Sequence, residues 1–284
     1  MTVTVGTAGY SYPAWAGGFY PRGLPAAEQL GYYAGQFPAV EINSTFYRVP
    51  TADQLLKMAA KVPAGFRFTL KVPRAASHEF DPADLPNFAN AATALAGTGK
   101  FAGLLLQKPE TFRNNAGNRS WLIRVRDLLQ PHPLAVEFRH RSWADPAPED
   151  WAARHGYTVA SVGVPPLGQL FPPGLRVTAG RVYARLHSEN PAAWYAGGEA
   201  RYDYDYPEET LAAWAAGLTR AAAAGATEAL IFFNNCVGIQ AVTNARRLMA
   251  LLRTEPSLTV PGPATLPGPP APRAAQRGLF DEEE

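Results

Sequence analysis

Four short segments of the chain carry ionisable residues at alternate positions: AVEINSTF (39–46), FRFTLKV (66–72), LAVEFR (134–139) and RVYARLH (181–187). Together they supply two carboxylates, Glu41 and Glu137, three cations, Lys71, Arg139 and Arg185, and one imidazole, His187. A carboxylate set among cations is a candidate general acid or base, with a pKa fixed by burial and by its neighbours. Cations in surplus over carboxylates suit an anion such as phosphate or carboxylate. Glu41, Glu137 and His187 are therefore the candidate catalytic residues, and Lys71, Arg139 and Arg185 the candidate anion ligands. A closed network of ion pairs among the same side chains also accounts for their presence, because buried charges need partners whether or not they act on a ligand.

The intervening residues of each segment dictate the element. Val40 and Ile42, Phe68, Leu70 and Val72, Leu134, Val136 and Phe138, and Val182, Ala184 and Leu186 form apolar sets of period two. That is the pattern of a strand with one face against helices. The opposite faces are Glu41, Asn43 and Thr45; Arg67, Thr69 and Lys71; Ala135, Glu137 and Arg139; and Tyr183, Arg185 and His187. For such faces from separate strands to converge, the sheet must close.

The rest of the sequence supports closure. Strands are expected over 3–8, 39–46, 66–72, 101–107, 134–139, 157–162, 181–187 and 228–234. Helices are expected over 25–37, 51–62, 84–97, 117–129, 146–156, 207–224 and 239–252, with Thr51 as an N-cap. Eight strand–helix units in about 250 residues match a (β/α)8 TIM barrel. An open doubly wound sheet gives a similar count but lacks its Gly-rich phosphate turn here. The sixth unit, GVPPLGQLFPPGLRVTAG (163–180), holds too much proline and glycine for a regular helix, and a long aromatic loop (188–207) follows the seventh strand. The barrel is expected over 1–253, a proline-rich linker over 254–275 and a disordered tail over 276–284.

The strand ends and the loops after them carry aromatic and amide side chains. Tyr10, Trp15, Tyr47 and Trp143 are candidate stacking surfaces for bases or sugars, with Asn43 and Asn234 as hydrogen-bonding partners. Packing roles for the aromatics and turn roles for the asparagines remain open. Two glutamates and one histidine at the strand ends do not make a metal-ligand set, so no metal and no other cofactor is expected. Neither a G-x-S-x-G elbow nor a P-loop is present, and the single cysteine, Cys236, has no evident activating base. The chemistry left is that of a metal-independent hydrolase or lyase, or of a binding protein. A hydrophobic content of 47%, a charged content of 18% and a net charge of +2 describe a globular chain whose electrostatics must be local. The expected location is cytoplasmic, with no membrane partner.

Six ordered motifs carry a family resemblance: GTAGYSYPAWAGGFYP (6–21), VEINSTFYRVP (40–50), FTLKVPRAASH (68–78), VEFRHRSW (136–143), YARLH (183–187) and IFFNN (231–235). Between about Val3 and Leu252 the chain resembles the YecE-like family, number seventy-two among the domains of unknown function. The resemblance implies a TIM barrel and leaves the reaction undefined. The expected ligand is an anionic small molecule or nucleic acid at the C-terminal face of the barrel. One alternative is a glycoside hydrolase using Glu41 and Glu137 as its carboxylate pair.

The other alternative is a non-catalytic module of DNA metabolism. QRGLF (276–280) resembles the bacterial sliding-clamp-binding pentapeptide, with Gln276 to orient and Leu279 and Phe280 to fill a pocket on the clamp. It departs from that pattern at Arg277 and Gly278.

Overall fold

Parallel strands that alternate with helices must cross over in one hand, and eight such units bring the last strand back to the first. The computed structural model describes residues 1–144 and 148–263. Among them, strands β1 (Thr2–Ala8), β2 (Ala39–Ile42), β3 (Arg67–Lys71), β4 (Phe101–Gln107), β5 (Leu134–Glu137), β6 (Tyr157–Gly163), β7 (Arg181–Leu186) and β8 (Glu228–Phe233) form a closed barrel in sequence order. All the pairings are parallel, and β8 closes on β1 from Thr2↔Glu228 to Thr7↔Phe233. Around it lie α1 (Ala26–Ala34), α2 (Ala52–Ala59), α3 (Arg74–His78), α4 (Leu85–Ala96), α5 (Ala116–Leu129), α6 (Pro148–Arg154), α7 (Glu208–Ala223) and α8 (Gln240–Arg253). All eight expected strands are present, and β6 runs to β7 without a helix, as its prolines and glycines dictate.

Local chemistry fixes the ends. Thr51 caps α2 through a reciprocal pair: its hydroxyl accepts from the Gln54 amide at 3.2 Å, and the Gln54 side chain accepts from the Thr51 amide at 2.9 Å. Gly6 lets β1 approach β2 closely, since a Cβ there would lie 2.0 Å from the Ala39 carbonyl oxygen. Tyr33 of α1 completes that corner. Its hydroxyl accepts from the Thr7 amide and donates to the Ala39 carbonyl, each at 2.9 Å.

Two layers of packing follow from the alternation. Outward-facing Val40, Ile42, Phe68, Leu70, Val136, Phe138, Val182 and Leu186 join the large core between barrel and helices. Inside, Ala39, Leu105, Ala135, Ala160, Tyr183, Leu230 and Phe232 fill the barrel as a separate apolar plug. The charged residues sit on top of that plug.

Two sequence-based expectations need correction. Arg67 alternates correctly but stands at the N-terminal end of β3, exposed, with its guanidinium donating to the Gly99 carbonyl at 3.1 Å, so it does not enter the interior. The linker does not begin free at Thr254. Leu258 is buried, the Val3 amide donates to the Thr259 carbonyl at 2.9 Å, and the Thr259 amide donates to the Met1 carbonyl at 2.9 Å. Thr2 and Thr259 thereby form a parallel bridge that straps the chain across the start of β1. The tail residues Gln276, Leu279 and Phe280 lie outside the described residues. Among those described, no helix is long and apolar enough to cross a membrane.

Candidate functional site

The C-terminal ends of β2, β3, β5 and β7 bring Glu41, Lys71, Glu137, Arg139, Arg185 and His187 together. Arg185 is the hub. Its Nε and Nη2 donate to Glu41 at 2.7–3.1 Å, and its Nη1 donates to Glu137 Oε2 at 2.6 Å. The remaining capacity of Glu41 is met by the Tyr183 hydroxyl, which donates to Oε2 at 2.7 Å. Glu137 Oε1 faces Arg139 Nη2 at 2.5 Å and His187 Nε2 at 3.2 Å. Asn234, just past β8, donates its amide to His187 Nδ1 at 2.9 Å, and Arg139 Nη2 lies 3.2 Å from Nε2 on the other side of the ring.

Both glutamates are fully buried. Burial alone would raise the Glu137 pKa, but Arg139 and Arg185 outweigh it and hold the carboxyl well below its usual range. Burial would likewise lower Arg185, yet Glu137 and Glu41 hold it well above its ordinary value. His187 moves the other way: burial, then the charge of Arg139, lower it to about 3, so the imidazole is neutral. Near neutral pH Glu137 is thus the ionised member of the pair and His187 the neutral one. Glu41, bidentate to Arg185, is likewise bound into the network. Neither carboxylate lines the cavity above, so the pair is poorly placed for glycosidic chemistry.

That cavity, about 620 Å³, opens at the mouth of the barrel. Its charged and polar lining comprises Lys71, Arg139, Arg185, Asn43, Gln107 and Asn234 from the strand ends, with Tyr12, Tyr47, Glu199, Tyr202 and Cys236 from the loops. Lys71 differs from the arginines. No carboxylate lies within 4 Å of its ammonium among the described residues, and its Nζ sits over the Phe46 ring, 4.2 Å from the centroid. Burial, then the positive charge of Arg185, lower its pKa to about 7. Arg139 is only partly satisfied: its Nη2 meets Glu137, while its Nε and Nη1 are buried without a hydrogen-bond partner. Asn43 Oδ1 is also buried without one.

The sequence-predicted aromatics divide. Tyr47 lines the cavity and is 81% exposed. Trp15 does not line it. It is fully buried, packed against Phe19 and Tyr33, and the cavity wall there is Tyr12, Pro13 and Ala14. Trp143 is a packing residue too, parallel to Phe138 at 4.2 Å and donating its Nε1–H to the Phe112 carbonyl at 2.8 Å. Tyr10 is partly buried, packs against the core near Tyr33 and is not on the lining.

Gln107 and Glu199 were not among the sequence candidates, whereas Tyr12 and Tyr202 belong to the loop aromatics that the sequence offers as stacking surfaces. Alternation over FAGLLLQ would have found Gln107 at the end of β4; Tyr202 and Glu199 reach the mouth on a loop whose path the sequence does not reveal. Burial pushes the Cys236 thiol up to about 12, so it is not a nucleophile at neutral pH. Among the described residues, no group of three His, Cys, Asp or Glu side chains is arranged to hold a metal ion.

This barrel has relatives of known structure. A DUF72 family protein from Thermotoga maritima MSB8 superposes with a TM-score of 0.81 and 34% identity, over 89% of this chain and all of that one. A DUF72 family protein from Enterococcus faecalis V583 gives a TM-score of 0.77 at 23% identity, over 89% of this chain and 96% of that one, a likeness of fold. The UPF0759 protein YunF of Bacillus subtilis (strain 168) is 27% identical over 262 residues, 85% of this chain and 93% of that protein. The model of the family described as "Protein of unknown function DUF72" matches residues 4–270, and the chain belongs to that family.

Proposed function

We propose that the mouth of the barrel binds a phosphate-bearing ligand, with Arg139 and Lys71 holding the anion and Lys71 serving as the proton acceptor there. The observation that carries this reading is a cavity lined by both Lys71, which has no carboxylate within 4 Å among the described residues, and Arg139, whose guanidinium is only partly satisfied by Glu137. A buried cation without a carboxylate partner is costly, and an anion in the cavity offsets that cost. The ion pairs beneath hold Arg139 in place. Glu41, Glu137 and His187 are positioning residues in this reading, and the titrating group is the lysine. In its nucleic-acid form the reading adds Tyr47 and Tyr195, which is 63% exposed, as stacking faces.

Isothermal titration of the full chain with inorganic phosphate at pH 6.5 tests it. Wild type should bind, and Lys71→Met or Arg139→Gln should each weaken binding at least roughly tenfold, the size of one charge-assisted hydrogen bond. Circular dichroism checks that each variant is folded. Folded variants that bind phosphate as tightly as wild type would overturn the proposal.

A further inference from the structure

Arg139 lines two cavities. Beside the mouth lies a second space of about 250 Å³, walled by His78, Gln107, Pro109, Glu110, Arg139, Arg201 and Tyr202, so Arg139, Gln107 and Tyr202 form the boundary between the two. The far wall is Arg201, in the short 3-10 turn Gly198–Tyr202 of the loop after β7. Its guanidinium lies 3.8 Å from the centroid of the Trp194 indole, and that of Arg139 lies 5.5 Å from the same ring. Trp194 is buried, so its ring is a fixed platform for both.

Arg139 is paired with Glu137, whereas Arg201 has no such close partner. No carboxylate lies within 4 Å of Arg201 among the described residues, and its Nε is buried without a partner, like the Nε and Nη1 of Arg139. Burial, then the charge of Arg139, lower Arg201 from its ordinary value. His78 adds no charge: burial and the nearby Lys71 lower it to about 4. Glu110 accepts from the Tyr195 hydroxyl at 3.0 Å. Two guanidinium groups stacked on one indole and lining the same side cavity form an anion site next to the first.

From this we infer that the ligand is a small molecule with two phosphoryl groups, one between Lys71 and Arg139 in the mouth and the other between Arg139 and Arg201 in the side cavity. The inference rests on the phosphate reading of the mouth and adds the substrate class. A small bisphosphate fits better than a polymer because the two spaces are small, about 620 and 250 Å³, and meet at Arg139, which is only 8% exposed.

A ruler experiment on the full chain tests it. Calorimetric titration with inorganic phosphate is compared with linear alkanediol bisphosphates from ethanediol to hexanediol. The expected result is an optimum at one intermediate length, about 100-fold tighter than phosphate because the second contact is intramolecular. Arg201→Gln should bring every bisphosphate down to the affinity of phosphate, and Arg201→Lys should restore part of the gain. Phosphate binding with no length optimum, or an optimum that survives Arg201→Gln, overturns this inference and leaves the reading of the mouth standing. Failure of wild type to bind phosphate in any form overturns both. A single-stranded oligonucleotide that binds when no bisphosphate does also overturns it, in favour of the polymer.

Discussion

Arg185 is occupied on both sides by carboxylates, so its charge is neutralised inside the protein before any ligand arrives. Lys71 is left as the residue whose charge can respond. Below about pH 7 it is an ammonium group, and above it an amine. An anion bound beside it favours the ammonium, so binding takes up a proton above that pH and weakens as pH rises. Sulfate keeps its charge across this range and is the suitable probe. Sulfate affinity should be flat below pH 7, then fall by up to about tenfold per pH unit above it, while Lys71→Arg should flatten the profile because guanidinium stays charged. A wild-type profile flat to pH 9 would remove Lys71 from the site. At this scale the sequence was informative about face and silent about height. Period-two alternation assigned Glu41, Lys71, Glu137, Arg139 and Arg185 to one side of the sheet, but placed Arg67 there as well. Alternation also cannot say which cation a carboxylate will choose, and here both glutamates pair with arginines. Trp15 and Trp143 were illegible for a related reason: a loop aromatic looks the same in sequence whether it faces a cavity or its neighbours.

Elements were more legible than residues, because each strand and helix repeats its signal over several positions. The Thr51 N-cap and the helix-free sixth unit were both readable from local chemistry. The junction of β1 and β2 was not, since it depends on a contact between Gly6 and Ala39, more than thirty residues apart. Gly6→Ala tests that junction. A methyl group aimed at a backbone oxygen can be accommodated only by separating two strands, and Tyr33 spans both with its hydroxyl. Chemical denaturation should show a loss of about 1–3 kcal/mol, the usual cost of overpacking, with the midpoint shifted and the m-value unchanged. A variant as stable as wild type would mean that the corner has more room than the close approach implies.

At the scale of the whole molecule, closure of the sheet was predictable from the count of units, and the end of the folded domain was not. The composition changes after Thr254, but a proline-rich segment can still supply one buried leucine and one bridge, as Leu258 and Thr259 do. The tail beyond remains a proposal about a partner. A peptide of residues 270–284 should bind the bacterial sliding clamp in a fluorescence anisotropy titration, and the Leu279→Ala/Phe280→Ala peptide should not. Equal binding, or none, by the two peptides would retire it.

The strap at Thr259 also sets a direction. It meets β1 at Thr2, at the N-terminal rim of the barrel, whereas the cavity opens at the C-terminal rim. Residues 264–275, which separate the described chain from QRGLF, can extend to about 40 Å at most. A partner gripping the pentapeptide would therefore be joined to the barrel from its base, the pole opposite the mouth. Anchorage and ligand capture would then use opposite poles of the molecule, and neither would obstruct the other.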